Sequence, residues 1–246
     1  WGRRTANDRS AVEKLVQRNG SKAQPRATEF DEIVSRRVQF LADYQDSAYA
    51  ERYHRLVKHV ADIESHSAKG MKGFAEAVAR YYFKLLAYKD EYEVARLYTH
   101  PRFTTQLNAQ FEGNFKLQFH LAPPLVATRE TDTGYPKKRA YGPWMLKMFS
   151  LLAKLKRLRG TRFDIFGYSS ERKMERQLID EYETTIEELL RGLNHDNHAL
   201  AVEIASVPEQ IRGYGHIKQA SVREARATQA ELLDAYSNPT SRSTAA

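Results

Sequence analysis

The histidines at positions 195 and 198 stand in the run HDNH, a spacing at which two imidazoles can share one side of a helical turn and hold a metal. A metal site needs a third and usually a fourth ligand, and the neighbouring residues supply none in register. Polar residues at a helix start account for the pair more simply, so no metal ligand is assigned. His54 and His59 are five apart and do not share a helix face. The run Ile211 to Lys218, IRGYGHIK, is the most site-like short segment. Gly213 and Gly215 would let backbone N–H groups approach an anion, with Arg212, His216 and Lys218 as cations around them. A turn between helices with ordinary surface charge explains the same residues. Lys154, Lys156, Arg157 and Arg159 make a basic face on a helix that could meet nucleic acid, an anionic membrane or an acidic protein. Its apolar residues look like a core stripe, which argues against a membrane, and no nucleic-acid reader motif accompanies it. Glu187 and Glu188, and the run Lys89-Asp90-Glu91, read as solvated helix charge, the latter also suiting an interdomain contact. There is no His-Glu-x-x-His, Walker A, G-x-S-x-G or G-x-G-x-x-G sequence. With no cysteine, disulfides, thiolate-bound zinc, iron–sulfur ligation and a cysteine nucleophile are excluded within this chain.

The elements that would position these groups are nearly all helical. Val78 to Tyr98 has no Gly or Pro, and Tyr81, Leu85, Tyr88, Tyr92 and Ala95 recur at helical spacing. Tyr82, Phe83, Leu86 and Leu97 widen that stripe, so a single, largely buried central helix is expected. Lys89, Glu93 and Arg96 are spaced to pair on its wet side. Before it, Ser10-Ala11-Val12-Glu13 is a capping box for a short helix to about Arg18, and Asn19 to Ala27 reads as a linker. A helix from near Thr28 carries Phe30, Val34, Val38 and Leu41. After a phase slip at Asp43 to Ser47, Tyr49, Tyr53, Leu56, Val60 and Ile63 resume the pattern, as one helix or two, before a loop at Ser65 to Gly73. Pro101 starts a short helix to about Phe111.

The period then changes. Phe115, Leu117, Phe119 and Leu121 alternate with polar residues as in a half-buried strand, and Leu125 to Arg129 and Lys137 to Tyr141 flank a turn at Asp132-Thr133-Gly134. Gly142-Pro143 introduces a helix from Trp144 to Arg159 with an apolar stripe of Trp144, Met148, Leu151, Leu152, Leu155 and Leu158, ended by Gly160. The aromatic loop Phe163 to Tyr168 should plug the core. Ser169 or Ser170 caps a helix to Leu193 lined by Met174, Leu178, Tyr182, Ile186 and Leu189; Asn194 caps another that ends before Pro208. A last helix spans about Ala220 to Tyr236. The expected fold is mainly α, a multi-helix domain with one small β element, strand plus hairpin, around residues 114–141.

Charge is unevenly placed. The net charge is +8 over 246 residues, yet between Lys137 and Arg176 twelve Lys or Arg face three Asp or Glu, which is +9 and leaves −1 for the remainder. That asymmetry points to a basic patch facing an acidic partner, or to a solvated helix face without one. Mean hydropathy is −0.66, and no apolar run approaches the ~20 residues that span a bilayer. The amino end, WGRRTANDRS, lacks the apolar core of a secretory signal, and its opening on Trp reads as a piece of a longer product. A cytoplasmic setting is expected.

Six runs in order, AYKDEYEVARLYT (87–99), QFEGNFKLQFHLAPPL (110–125), GPWM (142–145), LRGTRFDIFGY (158–168), ERQLIDEYE (175–183) and IRGYGHIK (211–218), carry a family resemblance. Over roughly Thr28 to Tyr236 the chain resembles the uncharacterised carboxyl-terminal domain of the long, fused indolepyruvate:ferredoxin (2-oxoacid:ferredoxin) oxidoreductases. Trp1 to Gln17 resembles the tail of the preceding γ-type catalytic domain. The resemblance implies residues 1–18 as that tail and 28–236 as the helical domain; composition makes 19–27 a linker between them and 237–246 a disordered tail. It implies a parent enzyme that oxidatively decarboxylates 2-oxo acids with thiamine diphosphate, magnesium, coenzyme A and iron–sulfur clusters and passes electrons to ferredoxin. No cluster cysteine and no Gly-Asp-Gly run occurs here, so no cofactor and no catalytic residue is assigned to this chain.

The expectation is therefore an accessory domain, not catalytic alone, that packs against sister domains and docks ferredoxin or coenzyme A through Lys154, Lys156, Arg157, Arg159 or the Arg212–Lys218 segment, with a homodimer as a further partner. The rival is a free-standing basic helical module for nucleic acid or another anionic surface, tested by steep salt dependence. An independent hydrolase or metalloenzyme has no nucleophile–base or ligand constellation behind it.

Overall fold

The computed structural model describes residues 30–111, 113, 115–121 and 139–238. The short helix and linker before Thr28, most of the hairpin and the tail after Asn238 lie outside them. Contacts divide the chain into two units, Trp1–Arg36 and Arg37–Ala246, and the second holds nearly all of the described residues. Among the described residues the fold is mainly α, nine helices with a two-stranded antiparallel sheet.

Helix α1, Phe30–Tyr44, and α2, Ser47–Ser67, are separate, because Asp46 accepts the Tyr49 N–H at 2.9 Å and starts a new helix at the phase slip. The expected central helix is also two. Helix α3 spans Phe74–Leu86 and α4 spans Glu91–Thr99, with Asp90 as the N-cap that accepts Glu93 N–H at 2.8 Å. Lys89 is consequently off the helix and exposed, while Glu93 pairs with Arg96 at 2.7 Å as its spacing implies. Tyr81, Leu85, Tyr88, Tyr92 and Ala95 are all buried despite the break; Leu97 is exposed.

The core is built on tyrosine. Tyr53 stacks on Tyr82 and Tyr82 on Tyr182, each pair with centroids 5.9 Å apart. A buried phenol needs a partner, and carbonyls supply it: Tyr44 donates to Tyr88 O, Tyr53 to Ala79 O and Tyr182 to Ala205 O at 2.7–3.0 Å. Burial pushes the Tyr88 phenol up to about 12. Residue Gly73 before α3 has no side chain to cap it, so Glu64 does so from α2. Its carboxylate accepts Phe74 and Ala75 N–H at 2.8 and 2.9 Å, and His198 donates to it from Nε2 at 2.6 Å. His198 is thus a buried tie between helices, not half of a metal pair, and His195 is exposed.

Helix α5, Pro101–Gln110, has proline at its first turn. Strand β1 is only Phe119–Leu121, pairing β2, Arg139–Tyr141, in the register Phe119 to Tyr141 and Leu121 to Arg139. The alternation from Phe115 therefore overstates the strand, and Phe115 is exposed against Phe111. Helix α6, Met145–Lys154, runs into a 3₁₀ turn, Leu155–Leu158, and ends at Gly160 (φ +75°). Helix α7, Ser170–Gly192, is capped by Ser169; α8 is His198–Ser206. Helix α9, Gly215–Ser237, starts five residues earlier than the sequence suggests, inside IRGYGHIK. No helix among the described residues is long and apolar enough to cross a membrane.

Candidate docking surface

Helix α6 is held from one side only. Met145 and Phe149 are buried with Ala95 of α4 and Phe119 of β1, and Tyr98, Leu117, Leu121, Tyr141, Leu146, Leu152 and Ala153 pack around them. Phe149 stacks on Tyr98 and meets Phe119 edge-on, with centroids at 5.2 and 5.3 Å. The described residues leave the opposite side uncovered. Trp144, Met148, Leu151 and Leu155 are 55, 50, 55 and 40 % exposed. Four of the six residues of the stripe expected to face the core therefore face out, while Leu152 packs on the core and Leu158 is half-buried. The helix is apolar around most of its circumference, and α4 with the sheet takes the Met145–Phe149 side instead.

The aromatic loop after Gly160 behaves likewise. Phe166 alone packs inward, edge-on to Tyr92 at 5.4 Å, while Phe163 (74 % exposed), Ile165 and Tyr168 point outward. What fixes the loop is Asp164, buried, whose carboxylate accepts Gly160 N–H at 2.8 Å, Gly167 N–H at 3.0 Å and the Tyr92 hydroxyl at 3.2 Å. A Cβ at Gly167 would lie 2.4 Å from Asp164 Oδ2, so only glycine fits.

The four cations assigned to a docking face separate into two pairs. Arg159 is 4 % exposed. Its Nε and Nη2 donate to Asp90 at 2.5 and 2.9 Å, Nη1 donates to Tyr44 O at 2.9 Å, and the guanidinium lies 3.6 Å from the Tyr44 ring centroid. Desolvation pulls its pKa down, but hydrogen bonding to Asp90 and the electrostatic contributions of Tyr44, Asp90 and Tyr88 together outweigh it and leave the guanidinium pKa raised. Arg159 is a structural bolt, and Asp90 is not the exposed charge its neighbours suggest. Lys156 donates to Ala42 O and Asp43 O at the end of α1, and its burial lowers its pKa. Only Lys154 and Arg157 remain exposed, and Lys147 and Arg162, outside the expected face, join them. Across residues 133–163 there are nine Lys or Arg and no Asp or Glu.

The IRGYGHIK segment is already served by the chain's own carboxylates. Lys218 pairs with buried Glu175 at 2.6 Å, Arg212 with Glu209 at 3.9 Å, and Gly215 N–H points to Glu171 Oε1 at 3.5 Å. Gly213 and Gly215 have positive φ, as the bend requires, and His216 is exposed. Lys218 and Arg172, which also binds Glu91, meet at Glu175 as a joint between α7 and α9, with Gly215 N–H reaching Glu171 beside it; Arg212 and Gly213 are not drawn into it. Glu175 escapes sequence reasoning because its neighbours read as a charged helix face. Glu187 and Glu188 are exposed, along an open groove of about 920 Å³ whose other side carries Arg52, Arg55 and His59. Arg52 spans that groove to Glu183 at 2.6 Å and Asp180 at 2.8 Å. Among the described residues no three His, Asp or Glu side chains gather as a metal site would need.

A family of unknown function, DUF6537, matches residues 30–231. The chain belongs to that family. No curated protein matches this DUF6537 chain, and no solved structure does. The match spans both the α6 surface and the α7–α9 joint. Its description assigns no activity to either.

Proposed function

We propose that this DUF6537 chain is an accessory domain of a thiamine diphosphate-dependent 2-oxoacid (indolepyruvate):ferredoxin oxidoreductase, and that it works by docking. The six runs between Ala87 and Lys218 support the parentage. The uncovered, cation-edged face of α6 supports the docking role, and it is the observation that carries the reading. A helix fixed on one side by Met145 and Phe149 and left bare at Trp144, Met148, Leu151 and Leu155 is a surface built to be covered. In this reading thiamine diphosphate, magnesium and the iron–sulfur clusters belong to other domains, since the chain has no cysteine to ligate a cluster. Ferredoxin, coenzyme A or a sister domain meets Lys147, Lys154 and Arg157. Lys156 and Arg159 take no part, because both are spent inside the fold.

The test uses the complete enzyme with Lys147, Lys154 and Arg157 each changed to Glu. The expected result is a rise of about tenfold in the ferredoxin KM at low salt, shrinking as salt screens the contact, with viologen reduction unchanged. An unaltered KM for both ferredoxin and coenzyme A contradicts the docking role.

A further inference from the structure

We infer that the α6 face takes an acidic, amphipathic helical segment of another protein or domain. The inference deepens the docking reading and rests on it only for the statement that the face is used. Trp144, Met148 and Leu151 follow the i, i+4, i+7 spacing of one row, about 10 Å long at 1.5 Å per residue, and Leu155 extends it at the start of the 3₁₀ turn. A row of this kind forms a ridge, and ridges pack into the grooves of a second helix. Trp and Met are residue types that interface centres favour.

The polar surroundings decide the partner's charge. Lys147 and Lys154 sit about 60–80° round the helix from the row, on the side away from buried Met145 and Phe149. Arg157 and Arg162 are exposed beyond them. No carboxylate lies within residues 133–163 to neutralise this edge. A second copy of the same face would set these cations against one another, so charge opposes self-pairing. Nucleic acid would pair its phosphates with the cations but leave the apolar row without an apolar surface to meet. A helix with a leucine-like row and Asp or Glu along one flank satisfies both halves of the surface. Its flank is specified too: carboxylates align on the Lys147–Lys154 side, because the other side of the row is continuous with the core.

A photo-crosslinking amino acid at Leu151 of the full-length protein, irradiated in its native cell, tests this. Leu151 is exposed, so the change spares the fold. The inference expects adducts whose captured peptide, read by mass spectrometry, is acidic and carries apolar residues at helical spacing. Lys147→Glu with Lys154→Glu should cut the adduct at least fivefold. Adducts with a basic or non-amphipathic peptide, with lipid, with residues 122–138 of the same chain or with Leu151 of a second copy overturn it. So does a yield no higher than that of the same probe at exposed Gln106. If the captured acidic helix belongs to a protein with no oxidoreductase chemistry, the proposed parentage fails while this inference stands.

Discussion

Asp90 Oδ1 accepts both the Glu93 N–H that starts α4 and an Arg159 N–H, while Oδ2 takes the second guanidinium bond. One carboxylate therefore begins α4 and anchors the turn after α6. The two tasks separate by substitution. Asp90→Asn retains a side-chain oxygen for the cap, since Asn caps as well as Asp, but leaves the Arg159 charge buried without its counterion. Breaking a buried pair from one side costs about 3–5 kcal/mol. Urea unfolding of D90N should show that loss, whereas a change within ~0.5 kcal/mol would mean that Tyr44 and the backbone suffice to hold the guanidinium. The residue-level clue is present in the sequence. Asp90-Glu91-Tyr92-Glu93 has the spacing of a capping box, which sets a helix start inside the long apolar run. The burial of Asp164 has no such clue. Its value to the loop lies in two N–H groups and a phenol brought to it by the fold, while the flanking aromatics invite the opposite conclusion.

Helix α6 shows what periodicity can and cannot decide. Two apolar rows, one through Trp144 and Leu151 and one through Met145 and Phe149, both obey the helical repeat. Which of them faces inward depends on α4 and β1, elements distant in sequence, so the stripe alone could not choose. Mutation distinguishes them directly. Phe149→Ala removes a ring stacked between Tyr98 and Phe119 and should cost about 3–5 kcal/mol. Met148→Ala and Leu151→Ala should stay within about 0.5 kcal/mol, as exposed positions do. Equal losses on both rows, read by thermal or urea unfolding, would place both in a core. Other element boundaries are legible because local chemistry writes them: Pro101 opens α5, Ser169 caps α7 and Gly160 stops the turn after α6. The start of α9 is not, since Gly215 and Tyr214 offer no side-chain cap and the helix is set by packing on α8 and the 3₁₀ turn Val207–Gln210 and by side-chain bonds to α7.

Over the whole molecule, the +9 of residues 137–176 is countable from the sequence, but its distribution is not. Arg159 is consumed by Asp90 and Lys156 by the Ala42 and Asp43 carbonyls, partners from distant parts of the chain, while Arg172 and Arg176 are consumed closer at hand, by Glu175 and the Gly167 carbonyl. The cations left over edge a bare apolar row, and that conjunction defines the surface. Membership of the DUF6537 family and the mainly α fold are established; the oxidoreductase setting is the proposal that gives the surface a purpose. Hydroxyl-radical oxidation of Met148 is the most direct measure of it, with half-buried Met71 as internal reference. In the chain alone Met148 should oxidise readily, and in the complete form of the proposed oxidoreductase with ferredoxin its rate should fall at least fivefold while Met71 is unchanged. Equal Met148 rates in both would show that nothing covers the α6 face and would contradict the account.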